Sequence, residues 1–181
     1  MKRRAMVGIG IALSLAVFAG AGCVSHQRER PLPDAGRHTV YVLAETGADA
    51  SMPRNRVRQR EQVRRQLERD MVNLLRKRGR YQASAVSSRD AFTPGPNTWL
   101  LHVRIARYHA GSKIARAAVG YGAGAASLDT VYDLYGEGAE PVLSNTQGVG
   151  SSRDWYQCVR RVNERTLDDV TRTLRELSGR R

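Results

Sequence analysis

The chain has 181 residues and a mass of 20.1 kDa, room for one ordinary domain and too little for two well-filled cores. Its 41% hydrophobic and 26% charged residues exclude wholesale disorder, and its two cysteines exclude a disulfide framework or a cysteine-cluster zinc site. Thirty basic residues against 17 acidic give a net charge of +13, which points to anionic partners. Because 27 of the 30 are arginine, the bias is read as one of codon composition, and the charge alone is taken as informative.

Lys2, Arg3 and Arg4 precede an uncharged run from Ala5 to Gly22 that holds Leu13, Leu15, Val17 and Phe18 but also four glycines. A basic head and an apolar stretch of this length are the pattern of an export signal, and 18 glycine-rich residues are near the short limit for a membrane span. The run ends Ala19-Gly20-Ala21-Gly22-Cys23. This end resembles the lipobox of bacterial lipoproteins, in which the cysteine is acylated and becomes the new N-terminus. Gly20 stands where that family usually has Leu, and Ala19-Gly20-Ala21 also reads as an A-x-A site with cleavage before Gly22. The resemblance implies acylation of Cys23 and, since Val24 is not Asp, an outer-membrane address facing the periplasm; a soluble periplasmic protein is the alternative.

The predicted organisation is a signal peptide over 1–22, a lipidated cysteine and flexible tether over 23–37, and one periplasmic domain over 38–179. Ser25 to Gly36 carries two prolines, charges and no apolar periodicity, hence the tether. His38 to Ala44 is almost continuously apolar and predicts a strand covered on both faces or a central one. Pro53 is placed in the first turn of a long helix ending at Gly79, with Val63, Leu67, Met71, Leu74 and Leu75 as its apolar stripe. Tyr81 to Val86 reads as a short strand, and Ser87 to Asn97 as a loop. Trp99 to Tyr108 alternates, with Trp99, Leu101, Val103 and Ile105 on one face and His102, Arg104 and Tyr108 on the other. Ala126 to Tyr135 repeats the pattern, with Leu128, Tyr132 and Leu134 inward. Val142 to Thr146 predicts a last strand after the Gly136-Glu137-Gly138 turn. A closing helix from about Arg153 to Ser178 has Trp155, Val159, Val162, Val170, Leu174 and Leu177 as its stripe, Ser151 or Ser152 as its cap and Gly179 as its stop. Strand, helix, a run of strands, then helix predicts an α+β fold: a mostly antiparallel sheet of four to five strands with two long helices on one face.

Gly111 to Gly124 (GSKIARAAVGYGAG) joins two of these strands and contains no acid. It lacks the GK[ST] of a phosphate-binding loop and the acid that a dinucleotide fold requires. Gly111-Ser112-Lys113, Arg116-Ala117 and Val119-Gly120-Tyr121-Gly122-Ala123-Gly124 resemble the signature of a family of small uncharacterised Gram-negative envelope lipoproteins. The element order also resembles the periplasmic domain of curli-secretion-type lipoproteins. These resemblances imply an envelope lipoprotein with no catalytic residue to carry over. Gly120, Gly122 and Gly124 alternate, and Ile114, Val119 and Tyr121 give the segment apolar side chains, so Gly111, Arg116, Gly120, Tyr121, Gly122 and Gly124 are candidates for a partner contact, with a flexible or tightly turned connection as the alternative.

The second candidate is the long helix, where Arg54 to Arg80 holds 11 basic and three acidic residues. Arg58, Arg65, Arg69 and Arg76 line the face opposite its apolar stripe and are candidate anion contacts. Export excludes nucleic acid and leaves lipid phosphate, an acidic protein or no partner at all, the last being a charged face that serves only solubility. Cys158 reads as a small buried hydrophobe. His26, His38, His102 and His109 have no metal-ligand spacing, and one of Asp129 and Asp133, four apart on one strand face, is expected to form a surface ion pair with Arg104.

These readings predict no metal, no cofactor and no catalysis. They predict a membrane-anchored binding or assembly module whose partner is an envelope protein or a second copy of the chain. A soluble periplasmic enzyme with a site assembled from distant residues, and a subunit of an oligomeric pore or collar, are the alternatives.

Overall fold

The computed structural model describes residues 28–111 and 124–179. The described residues form a five-stranded sheet in the order β2-β1-β3-β4-β5, with β1 Thr39–Glu45, β2 Gln82–Ala85, β3 Thr98–His109, β4 Ala126–Tyr135 and β5 Pro141–Ser151. Helix α1 spans Arg54–Leu74 and α2 spans Trp155–Ser178. Both pack on the same face of the sheet and against each other, so the α+β prediction holds. The sheet is mixed: β1 runs parallel to β2 and β3, while β3–β4 and β4–β5 are antiparallel and carry most of the paired residues.

Local signals account for most of the elements. Val63, Leu67 and Met71 of α1 are buried beneath the helix, and Val159, Val162, Val170 and Leu174 of α2 are fully buried, as stripes at helical spacing require. Leu128, Tyr132 and Leu134 of β4 point into this core, while Val40 and Val42 of β1 face it with Leu43 buried on the reverse. Burying a Leu or Val side chain contributes about 1.5–3 kcal/mol, so these stripes are the principal source of stability.

Several boundaries differ from the sequence reading. Pro53 precedes the first helical residue of α1, and its carbonyl accepts from the amides of Arg56 and Val57 at 2.9 and 3.1 Å. After Leu74 the helix widens into a π turn over Leu75–Gly79, and the residue that turns left-handed is Arg80, at φ 61°. Gly79 is required for another reason: a Cβ there would lie 2.5 Å from the Tyr81 ring and 3.1 Å from Leu167. Helix α2 is capped by Asp154, whose side chain accepts from the Gln157 amide at 3.0 Å, and not by Ser151 or Ser152. The last strand extends to Ser151, five residues beyond its predicted end.

Two differences matter for function. A register shift between Ile105 and Arg107 sets Tyr108 opposite the core residue Leu128, so Tyr108 packs against the core instead of sharing a face with His102 and Arg104. A bulge reverses the alternation that sequence periodicity assumes. From Arg28 onward, moreover, the expected tether is docked. Leu32 and Ala35 are 4% and 1% exposed, the Glu29 amide donates to Asp168 Oδ1 at 3.1 Å, and Arg175 holds the Glu29 carboxylate at 2.5 Å.

Candidate functional site

Three surfaces bear on function: the ends of the glycine segment, the outward face of the helices and the outer edge of β5. The glycine segment leaves β3 and enters β4. Gly111 and Gly124 are both in the left-handed region, at φ 76° and 69°, and the Gly111 amide donates to His109 Nδ1 at 3.1 Å. Positive φ explains glycine at these two positions. Arg116, Gly120, Tyr121 and Gly122 lie outside the described residues, as does Cys23.

Beside Gly111, where β1 and β3 end, is a crevice of about 220 Å³ lined by Met52, Arg56, Gln59, Arg60, Tyr108 and His109. Arg60 is committed there to main-chain carbonyls, donating to Thr46, Gly47 and Ile105 at 2.9, 3.0 and 3.1 Å. Burial pushes the Tyr108 phenol up to about 12, so it remains a neutral hydroxyl at physiological pH. Among the described residues, no group of three His, Cys, Asp or Glu side chains is arranged to hold a metal ion.

The four arginines singled out on the long helix, Arg58, Arg65 and Arg69 of α1 and Arg76 of the π turn, are all exposed. Arg65 lies 3.5 Å from Glu61, Arg69 donates to Gln66, and Arg76 donates through Nε to the Ala83 carbonyl at 2.7 Å. Arg58 has no partner among the described residues. Glu61 and Glu68 are both held by Arg64, at 2.9 and 2.8 Å, and the Arg64 hydrogen bond lowers the Glu61 carboxyl below its ordinary value. The helix acids are thus largely satisfied within the helix, and its outward face remains cationic.

The sheet edges are treated differently. β2 is four residues long, and Arg76 occupies its Ala83 carbonyl. β5 is 11 residues long and carries no charged side chain. Arg165 and Arg161 reach across from α2 to the Gly148 and Gly150 carbonyls at 3.3 Å each, but among the described residues no arginine covers the carbonyls of 142–146, a stretch that includes Val142, 43% exposed. Charged residues and short length guard natural sheet edges against pairing. Among the described residues, the stretch 142–146 has neither guard, and only its Thr146 amide is taken, by Asn145 Oδ1 at 2.8 Å.

Sequence reasoning missed these arginine-to-carbonyl contacts, because the carbonyls belong to strands far away in sequence. It also missed the buried cluster under α2, where Tyr132 donates to Asp169, Gln147 donates to the same carboxylate at 3.0 Å and Arg172 faces it at 3.2 Å. An acid pair, Asp168-Asp169, flanked by the apolar stripe was its only local sign. The expected ion pair of β4 forms with a different residue: Asp129 binds Arg107 at 2.7 Å, not Arg104, because the bulge brings Arg107 opposite it. Asp133 accepts from Ser144. Cys158 is buried with its Sγ 3.5 Å from the Ala126 carbonyl, and burial raises its thiol above the ordinary value.

The family model described as a domain of unknown function (DUF4410) matches residues 45–151, from the end of β1 to the end of β5. Among solved structures, a point variant of PelC from Paraburkholderia phytofirmans, a dodecamer, has a TM-score of 0.52 and 12% identity, covering 80% of this chain and 95% of that chain. A PelC dodecamer from the same organism in another crystal form has a TM-score of 0.41 and 12% identity, covering 77% and 88%. The hypothetical protein CT253 from Chlamydia trachomatis has a TM-score of 0.34 and 12% identity, covering 79% and 94%. At 12% identity the first of these is a likeness of fold. No curated protein matches the sequence.

Proposed function

The chain belongs to the DUF4410 family, and from that premise we propose that it is an envelope lipoprotein, acylated at Cys23 and facing the periplasm, that works by self-assembly and not by catalysis. The observation that carries the assembly reading is the edge of β5. The outer edge of β5, uncharged over 142–146, has no further strand beside it among the described residues and, apart from the Thr146 amide, which donates to Asn145 Oδ1 at 2.8 Å, offers main-chain donors and acceptors to another chain. The fold likeness to a dodecamer supports the same reading. The basic, apolar and small-residue pattern ending at Cys23 supports export and acylation. No helix of the described residues is long and apolar enough to cross a membrane. In this reading attachment is through the acyl chains on Cys23, two or more of which anchor a protein stably.

Native mass measurement of the mature protein in detergent tests the assembly. We expect a multiple of the protomer mass that collapses to one protomer on Thr146→Lys, a substitution at an exposed position of the open edge. A wild-type monomer at micromolar concentration would remove the assembly reading. An intact mass of the N-terminal peptide without acyl groups, or starting at Gly22, would remove the lipoprotein reading.

A further inference from the structure

The docked segment from Arg28 to Ala35 sets a limit on how the domain can stand relative to its anchor. Arg28 lies 3.8 Å from Glu164, Glu29 is bound by Arg172 and Arg175, and Arg30 gives its carbonyl to Arg175 at 2.7 Å. The chain is therefore held against the outward side of α2, the side away from the sheet. Only residues 23 to 27 separate Cys23 from this fixed point. Fully extended, they span about 18 Å. Bringing the sheet face to the membrane would take the chain around a helix about 10 Å thick and then the sheet, together about 20 Å before any lateral detour. The tether is too short for that orientation.

We propose that the outward face of the two-helix layer is a membrane-docking surface that seats on the phosphate headgroups of an anionic leaflet. This rests on acylation of Cys23, as argued above. The charge of the face fits such an occupant: Arg58, Arg65 and Arg69 are exposed on α1. At the start of α2, Tyr156 is 48% exposed and stacks on Trp155 with ring centroids 3.8 Å apart. An aromatic pair with a polar tip suits the headgroup level of a bilayer. Attraction of arginines to anionic lipid acts within about a Debye length, roughly 8 Å at physiological salt. The short tether keeps the helix layer near that range.

The test uses the mature full-length protein reconstituted in phosphatidylcholine vesicles with or without phosphatidylglycerol. A fluorophore is placed at Arg69→Cys on the helix face and, separately, at Arg104→Cys, which is exposed on the opposite sheet face; Cys158 is buried. With headgroup-quencher lipids in phosphatidylglycerol vesicles, we expect quenching at position 69 to exceed that at position 104 severalfold. Replacing Arg58 and Arg65 with Gln should reduce that difference by at least half. Equal quenching at the two positions in protein whose N-terminal acyl mass has been verified would overturn the docking surface and leave the lipoprotein reading intact. Equal quenching with and without phosphatidylglycerol would overturn the anionic assignment. Absence of acyl mass would instead overturn the anchor and, with it, the distance limit.

Discussion

Tyr132 of β4 donates its phenolic hydrogen to Asp169 of α2, joining sheet and helix across an interface where the tyrosine is completely buried. Asp169 also receives Gln147 and Arg172, so the carboxylate is enclosed by donors. A buried acceptor with several donors fixes the angle of α2 on the sheet, because leaving any of them unpaired is costly.

Tyr132→Phe should therefore destabilise the domain by about 1–3 kcal/mol, read as a lower chemical-denaturation midpoint at pH 7. Burial, and then the hydrogen bond to Asp169, hold the Tyr132 phenol above its ordinary value. A folded value above the unfolded one means that the contribution is complete below about pH 10 and declines as pH rises past it. The difference between wild type and Tyr132→Phe should consequently shrink above about pH 10. A difference independent of pH would contradict this account.

Docking of the N-terminal segment should be acid-sensitive. The hydrogen bond from Arg175 is the main cause that holds the Glu29 carboxyl below its ordinary value, with Arg172 adding to it. A depressed folded value gives stability that is complete above the ordinary carboxylate range, about pH 4.3, and is lost as pH falls through the folded value. Hydrogen exchange should show residues 29–35 protected near neutrality and released before the rest of the domain on acidification. Glu29→Gln should abolish that pH dependence; a variant whose protection followed that of wild type at every pH would disprove the assignment.

Gly124→Ala should destabilise the isolated protomer by about 1–2 kcal/mol, since its φ of 69° is left-handed and an L side chain there meets the following carbonyl. Gly138→Ala is the matched control: its Cβ would meet nothing within 4 Å and its φ is not positive. Thermal melts of the two variants should separate by several degrees. Equal midpoints would mean that the segment relaxes around the substitution.

Arg161 and Arg165 act on β5 as covers for its carbonyls. Their double replacement by Ala should leave the melting midpoint nearly unchanged, because bonds of this length on exposed or half-exposed side chains contribute little, about 0–1 kcal/mol each. It should nevertheless raise the rate of aggregation by opening the edge at Gly148 and Gly150. Light scattering at elevated concentration checks this. Unchanged scattering would show that the covers are dispensable.

What the sequence determined by itself was what periodicity can encode. The stripes from Val63 to Met71 and from Val159 to Leu174, the alternation from Leu128 to Leu134 and the apolar run of β1 all bury the predicted residues, because helical and extended backbones place side chains at fixed intervals. The outward position of Arg58, Arg65, Arg69 and Arg76 follows from the same rule. Tertiary structure decided everything that depends on which segments meet. It made β1 a central strand parallel to both neighbours, and it left β5 as a long edge. It placed a bulge after Ile105 that turns Tyr108 inward and hands Asp129 to Arg107. It also bound the charged, proline-bearing start of the chain to Asp168, Arg172 and Arg175, some 140 residues away. That last segment has no periodicity to read. Its order comes from through-space pairing of Glu29 and burial of Leu32, and such pairing is invisible until the partner helix is in place.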